Sequence, residues 1–185
     1  MENGPLPQTD LELARKARHG DLNAFHELIN RHASYLFAVA FSLVGNAADA
    51  EDAVQETLAG ALRGLRGFRE KSSVKTWLTG ILVRQAAQRF RKSRHQAESL
   101  ELEAVQDSVA APARPKVDVC LDVQAAIHAL PPEYREVIVL RELQGFSYEE
   151  IAQALGIPAG TVESRLFRAR KELQELLRDY LPQDA

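Results

Sequence analysis

The stretch SYEEIAQALGIPAGTVESRLFRAR (Ser147–Arg170) spells two helices joined by a tight turn. Ser147 can cap the first helix, and Glu150, three residues on, can reach back to complete a capping box. Ala152 is small enough for a second helix to cross close above it. Gly156 stands where the first helix ends and a left-handed conformation is needed. Pro158 favours an extended residue before it and suits the turn or the next helix start. Val162 then falls where an apolar side chain of the second helix must meet the first. Ala, Gly and Val at spacings of four and six, bracketed by caps, form a helix-turn-helix pattern. Such a unit lays its second helix in the major groove of DNA. The plainer reading is an αα-hairpin with no ligand; the arginines after the turn and the rest of the chain speak against it.

The charge distribution points the same way. The 185 residues carry a net charge of −3, which by itself does not suggest a nucleic-acid binder. Residues 1–62 hold 4 basic and 9 acidic side chains, and residues 96–130 hold 2 and 6. Between them, residues 63–95 hold 10 basic and 1 acidic, a block of +9 that the overall balance conceals. The single cysteine, Cys120, excludes a disulfide framework within the chain and reads as a small buried hydrophobe. His19, His26, His32, His95 and His128 lack metal-ligand spacing, so neither a metal nor a cofactor is expected. No nucleophile, base and orienting group cluster, so no enzyme is expected either. MENGPLPQTD is not a signal peptide and no apolar run is long enough to span a membrane, so a soluble cytoplasmic chain is expected.

Helical periodicity runs through almost every segment and no alternating run suggests a strand. Thr9 or Asp10 caps a first helix ending at Gly20. Asp21 caps a second, with Phe25, Leu28, Ile29, Leu36, Phe37, Ala40 and Phe41 along it, stopped by Gly45. Asn46 or Asp49 starts a third, with Val54, Leu58, Leu62 and Leu65 as its apolar stripe. Ser72 or Ser73 caps a fourth, which runs to about His95. Residues 96–117 are acidic, lack aromatics and carry two prolines, which suits a flexible tether with at most a helical fragment near Leu100–Val105. Helicity resumes at Asp118, breaks at Pro131-Pro132, and continues as Glu133–Leu143 and then the helix-turn-helix. The expectation is an all-α chain of two small domains, 1–95 and 118–182, joined by the 96–117 linker.

Two further surfaces stand out in the first domain. In DAEDAVQETLAGAL (Asp49–Leu62), Asp49, Asp52 and Glu56 recur at i, i+3 and i+7, with Gln55 alongside. Acids in a first turn also suit the helix dipole, so this is a weak sign of a protein-binding face. In FREKSSVKTWLTGILVRQAAQRFRKSRH (Phe68–His95), Arg84, Arg91 and Lys92 share one face, and Arg89, Lys92 and Arg94 lie toward another. Several cations are what phosphate contacts require, because released counterions supply most of the affinity. The Ser72-Ser73 loop, flanked by Lys71, Phe68 and Trp77, combines a basic track with aromatic faces, as single-strand binding needs. Core packing is the competing role for Trp77.

Acidic helix, basic aromatic helix, tether and C-terminal helix-turn-helix, in that order, resemble a bacterial RNA polymerase sigma factor of the sigma-70 family. The likeness is to the small extracytoplasmic-function group, which keeps only the second and fourth conserved regions. It rests on DAEDAVQET, FREKSSVKTWLTGI and ALPPEYREVIVLRELQGFSYEEIAQALGIPAGTVESRLFRARKEL, and on the lengths between them.

The resemblance implies a promoter-specificity subunit in transcription initiation and stress response, with core RNA polymerase, promoter DNA and an anti-sigma protein as partners. It implies that Asp49, Asp52, Gln55 and Glu56 dock on the clamp helices of the polymerase's largest subunit. Lys71, Ser72, Ser73, Lys75, Trp77, Arg84, Gln88, Arg91 and Lys92 match the segment that opens and reads the minus-ten element and captures a flipped non-template base. Thr161, Glu163, Ser164, Arg165, Phe167, Arg168 and Lys171 match the recognition helix for the minus-thirty-five element. Two positions depart from the family pattern. Arg84 stands where Asn is common, and a guanidinium cannot accept a hydrogen bond from a base. Glu163 stands where some members carry Arg; a carboxylate there can accept from a cytosine amino group. The alternative is a self-sufficient helix-turn-helix regulator, which leaves the +9 block unexplained. A sigma mimic that titrates an anti-sigma protein would need a regulatory input domain for which the length has no room.

Overall fold

The computed structural model describes residues 8–101 and 119–180, and of residues 90–101, 119–122 and 179 the backbone alone. Among the described residues every element is helical. The first half comprises α1 (Asp10–Arg18), α2 (Leu22–Val44), α3 (Ala47–Gly64), a 3-10 turn (Leu65–Gly67) and α4 (Val74–Glu101). The second comprises α5 (Val119–Ala129), α6 (Pro132–Ile138) running into a π-helical turn (Val139–Leu143), α7 (Tyr148–Leu155), α8 (Ala159–Leu176) and a closing 3-10 turn (Arg178–Tyr180).

The helix starts follow from their caps. Thr9 and Glu12 form a capping box on α1. The Asp21 carboxylate accepts from the Asn23 and Ala24 amides, both at 3.0 Å, and Gly45 ends α2 in the left-handed region at φ 87. Asn46, rather than Asp49, caps α3. Ser73, rather than Ser72, caps α4, its hydroxyl accepting from the Thr76 amide at 3.0 Å. α4 runs to Glu101, past the expected end near His95. The rest of the expected tether, from residue 102, lies outside the described residues, and so does the Cys120 side chain. The expected helix Glu133–Leu143 widens at its end, where the Gln144 amide donates to the Val139 carbonyl five residues back.

α2 is the hub of the first half, packing on α1, α3 and α4, while α6 and α7 both pack on α8. Leu28, Leu36, Val39, Leu78 and Leu82 are fully buried on one side, and Val137, Leu140, Ile151, Val162 and Leu166 on the other. These residues belong to one continuous core, because the two halves lie against each other. α4 packs along α7, and α2 meets α5 and the π turn. Gly80 of α4 is the closest approach: a methyl group there would stand 2.6 Å from the Ala154 carbonyl oxygen of α7.

Arg135 of α6 straps the halves together. Its buried guanidinium donates to the carbonyls of Leu43 at 2.8 Å, Leu130 at 3.0 Å and Ile127 at 3.2 Å, and also to that of His128. Leu43 belongs to α2 and the other three to α5 and its C-terminal end, so one side chain reads carbonyls of both halves. The His128 ring packs on Gly45, and burial next to the Arg135 charge pushes its pKa down.

Candidate polymerase and nucleic-acid interfaces

The acidic face sits on α3, whose Ala50, Ala53, Thr57 and Ala61 turn into the core. That periodicity leaves Asp52, Gln55 and Glu56 in solvent and Asp49 half-buried. Arg89 of α4 reaches across to this face, with one guanidinium nitrogen 2.9 Å from Asp52 and the other 3.4 Å from Asp49. Arg89 is thereby drawn from the basic helix toward the acidic one. Gln55 and Glu51 rim a groove of ≈ 510 Å³ whose other walls include Val54, Ala33 and Phe37. Phe37 and Phe41 stack beside it with ring centroids 6.3 Å apart, and each keeps over a third of its surface exposed. Periodicity placed both phenylalanines with the apolar residues of α2. They lie instead on the solvent edge of its apolar face, as does Leu62 on α3, which is 49% exposed. An acidic rim beside exposed rings suits a partner helix that is both basic and apolar.

The minus-ten candidates lie in the loop before α4 and along that helix. Phe68 is buried and Trp77 half-buried, their rings 4.8 Å apart, so Trp77 has a packing role and still shows an edge to solvent. Glu70 takes a left-handed backbone at φ 58, which costs a non-glycine residue roughly 1–2 kcal/mol. Arg15 of α1 holds it there through a two-pronged contact at 2.5 and 3.1 Å. That contact holds the Glu70 carboxyl below its ordinary pKa. The loop is set so that Lys71 and Ser73 are exposed and Ser72 is half-exposed. Arg84 and Gln88 are exposed farther along α4, while the side chains of Arg91 and Lys92 lie outside the described residues.

Lys75 is placed differently from its neighbours. Its ammonium lies 4.4 Å from the centre of the Tyr35 ring and 5.2 Å from that of Phe146, a residue of the second half. The Tyr35 hydroxyl shares a 2.9 Å hydrogen bond with Thr79, and burial pushes the phenol up to about 12, so the ring stays neutral beneath the cation. Lys75 is therefore held between the halves while they are closed. Sequence reasoning missed Tyr35, Phe146 and the Arg15–Glu70 clamp, all of which depend on contacts between distant segments.

The helix-turn-helix has the expected local geometry. The Ser147 hydroxyl accepts from the Glu150 amide at 3.2 Å, and the Glu150 carboxylate accepts from the Ser147 amide at 2.9 Å. Gly156 is left-handed at φ 68. Val162, Leu166 and Ala169 of α8 are buried, which turns Glu163, Ser164, Phe167, Arg168 and Lys171 outward and leaves Thr161 and Arg165 half-exposed. Phe167 is 71% exposed, an aromatic with no internal role at the centre of the presented face. Arg170 instead turns back to Glu142, at 2.8 Å.

Both halves match known sequence families. Residues 28–96 match sigma-70 region 2, and residues 120–173 match sigma-70 region 4. The chain belongs to the sigma-70 family. It is 36% identical over 176 residues to the ECF RNA polymerase sigma factor SigM of Mycobacterium tuberculosis, covering 94% of this chain and 87% of that one. Among solved structures it is similar to CnrH in complex with the cytosolic domain of CnrY, with a TM-score of 0.69 and 31% identity over 92% of this chain and 97% of that one. It is also similar to the sigma factor RpoE of Bartonella quintana in complex with the anti-sigma factor NepR. There the TM-score is 0.67, with 33% identity over 83% of this chain and 96% of that one. The sigma factor described here is thus of the extracytoplasmic-function group, a group of transcription initiation factors, and the implied order of region 2 before region 4 holds.

Proposed function

We propose that this sigma factor docks on core RNA polymerase through the α3 face of Asp49, Asp52, Gln55 and Glu56 and reads promoter DNA at two places. The minus-ten element is read by the α4 loop and helix, from Lys71 to Lys92. The minus-thirty-five element is read by the outward face of α8, from Thr161 to Lys171. The observation that carries this reading is the exposure of Glu163, Ser164, Phe167 and Arg168 on a helix whose opposite side is fully buried in a helix-turn-helix. The sigma factor makes no bond itself; it places polymerase on the promoter, in the cytoplasm. No described helix is long and apolar enough to cross a membrane. An anti-sigma protein is its proposed regulator, as RpoE and CnrH each have a named partner in their complexes.

The docking face is tested by the double variant Gln55→Ala, Glu56→Lys. Both side chains are exposed, so stability is expected to change by no more than about 0.5 kcal/mol. Affinity for core polymerase is expected to fall roughly tenfold to a hundredfold, the loss of about 1.4–2.8 kcal/mol. Unchanged affinity in a titration with core would place the docking surface elsewhere. An unfolded variant would assign the two residues to the fold.

A further inference from the structure

A groove of ≈ 650 Å³ opens between the C-terminal end of α1 and that of α3. Its cations are Arg18 from α1, and Arg63 and Arg66 from the end of α3 and the 3-10 turn, with His19 from the turn after α1 beside them. Its apolar walls include Leu22, 65% exposed, and Leu62, 49% exposed. No carboxylate lines it. Arg63 and Arg66 are exposed, and among the described residues neither has an ion-pair partner. They stand three residues apart, so their side chains rise from one face. Two large exposed leucines walled by unpaired cations suit a ligand with a polyanionic edge and flat apolar faces.

The groove also joins the minus-ten loop. Arg18 donates to the Phe68 carbonyl at 3.5 Å, and the Phe68 ring packs at a tilt against that of Trp77. The exposed cations then continue along the chain from Arg63 and Arg66 through Arg69 to Lys71.

We propose that this groove is a second single-stranded DNA site, in which Arg18, Arg63 and Arg66 hold phosphates and Leu22 and Leu62 meet bases of the unpaired non-template strand as it leaves the minus-ten loop. The proposal rests on the reading of the Lys71–Lys92 segment as the minus-ten site. An unpaired strand gripped only at the loop would be free to re-pair beyond it. A second grip on the same strand raises its effective concentration at the first. Arg18 is partly committed to Phe68, so Arg63 and Arg66 carry most of the phosphate contact.

The test uses holoenzyme, the full chain bound to core polymerase, and forked DNA built on a promoter found by mapping its transcripts. One fork ends its non-template strand just after the minus-ten element. The other extends that strand by about six nucleotides, enough to fill a second short site. The native chain is expected to bind the longer fork more tightly. Arg63→Ala with Arg66→Ala is expected to keep its affinity for the short fork and lose the gain from the extension. Its salt slope on the longer fork is expected to fall by about 1.4, at ~0.7 per single-strand phosphate contact. Arg63→Lys with Arg66→Lys keeps the charges and is expected to keep most of the gain. Three results would overturn the site: an intact gain in the alanine pair, equal weakening on both forks, or weakened binding to core without DNA, which would make a protein the occupant. Lys71→Ala separates the two readings. It is expected to weaken the short fork, and if it does not, the minus-ten assignment itself fails.

Discussion

Gly80→Val is expected to drive the two halves of the free chain apart. A side chain at position 80 begins 2.6 Å from the Ala154 carbonyl oxygen, and that neighbour is helix backbone rather than a movable side-chain tip. Both helices are anchored in the core, α4 by Leu78 and Leu82 and α7 by Ile151, so neither yields locally. Overpacking of this kind costs about 1–3 kcal/mol, and separation of the halves relieves it. Separation also releases Lys75 from Phe146. Small-angle scattering measures the outcome. A single compact chain of this length has a radius of gyration of about 16 Å, and the variant is expected to exceed it while its helix content holds. Gly160→Ala is the control, since a methyl group there meets nothing within 4 Å. A compact, stable Gly80→Val chain would show that the contact yields without opening.

Arg135→Met is expected to cost more stability than any surface change described above. The substitution keeps a long apolar stem and removes every donor from carbonyls of Leu43, Ile127, His128 and Leu130. A buried acceptor left unpaired costs about 1–3 kcal/mol, and several lose a partner at once, so a loss of on the order of 3 kcal/mol is expected. For a chain of this size that lowers the melting temperature by about 6–12 °C. Arg135→Lys is expected to recover only part of it, because one ammonium cannot reach carbonyls that a planar fork reaches together. A melting temperature within 2 °C of the native one, about 0.5–1 kcal/mol, would remove Arg135 from the strap.

The local parts of the fold were legible because their causes are local. Thr9, Asp21 and Ser147 cap helices through bonds to amides two or three residues away, and Gly45 and Gly156 end them through their own backbone angles. The outward face of α8 follows from the spacing of Val162, Leu166 and Ala169 alone. The packing of the halves was not legible. Gly80 looks like any helical glycine until Ala154 is placed against it, and Arg135 looks like a surface arginine until it meets Leu43. Phe37 and Phe41 fit a core stripe in the sequence, and the rest of α2 fills that core without them. Arg18 lies far along the chain from Arg63 and Arg66, so only the fold draws the three into one groove.

The most direct measurement is transcription reconstituted from core polymerase and this chain on fragments of its own genome, with start sites mapped. The expected result is a small set of start sites absent with core alone. They are expected to share two sequence elements at a fixed spacing, and Arg168→Ala is expected to weaken discrimination at the upstream element. Transcripts no different from those of core alone, with the chain folded and present in excess, would contradict its assignment as a promoter-specificity subunit.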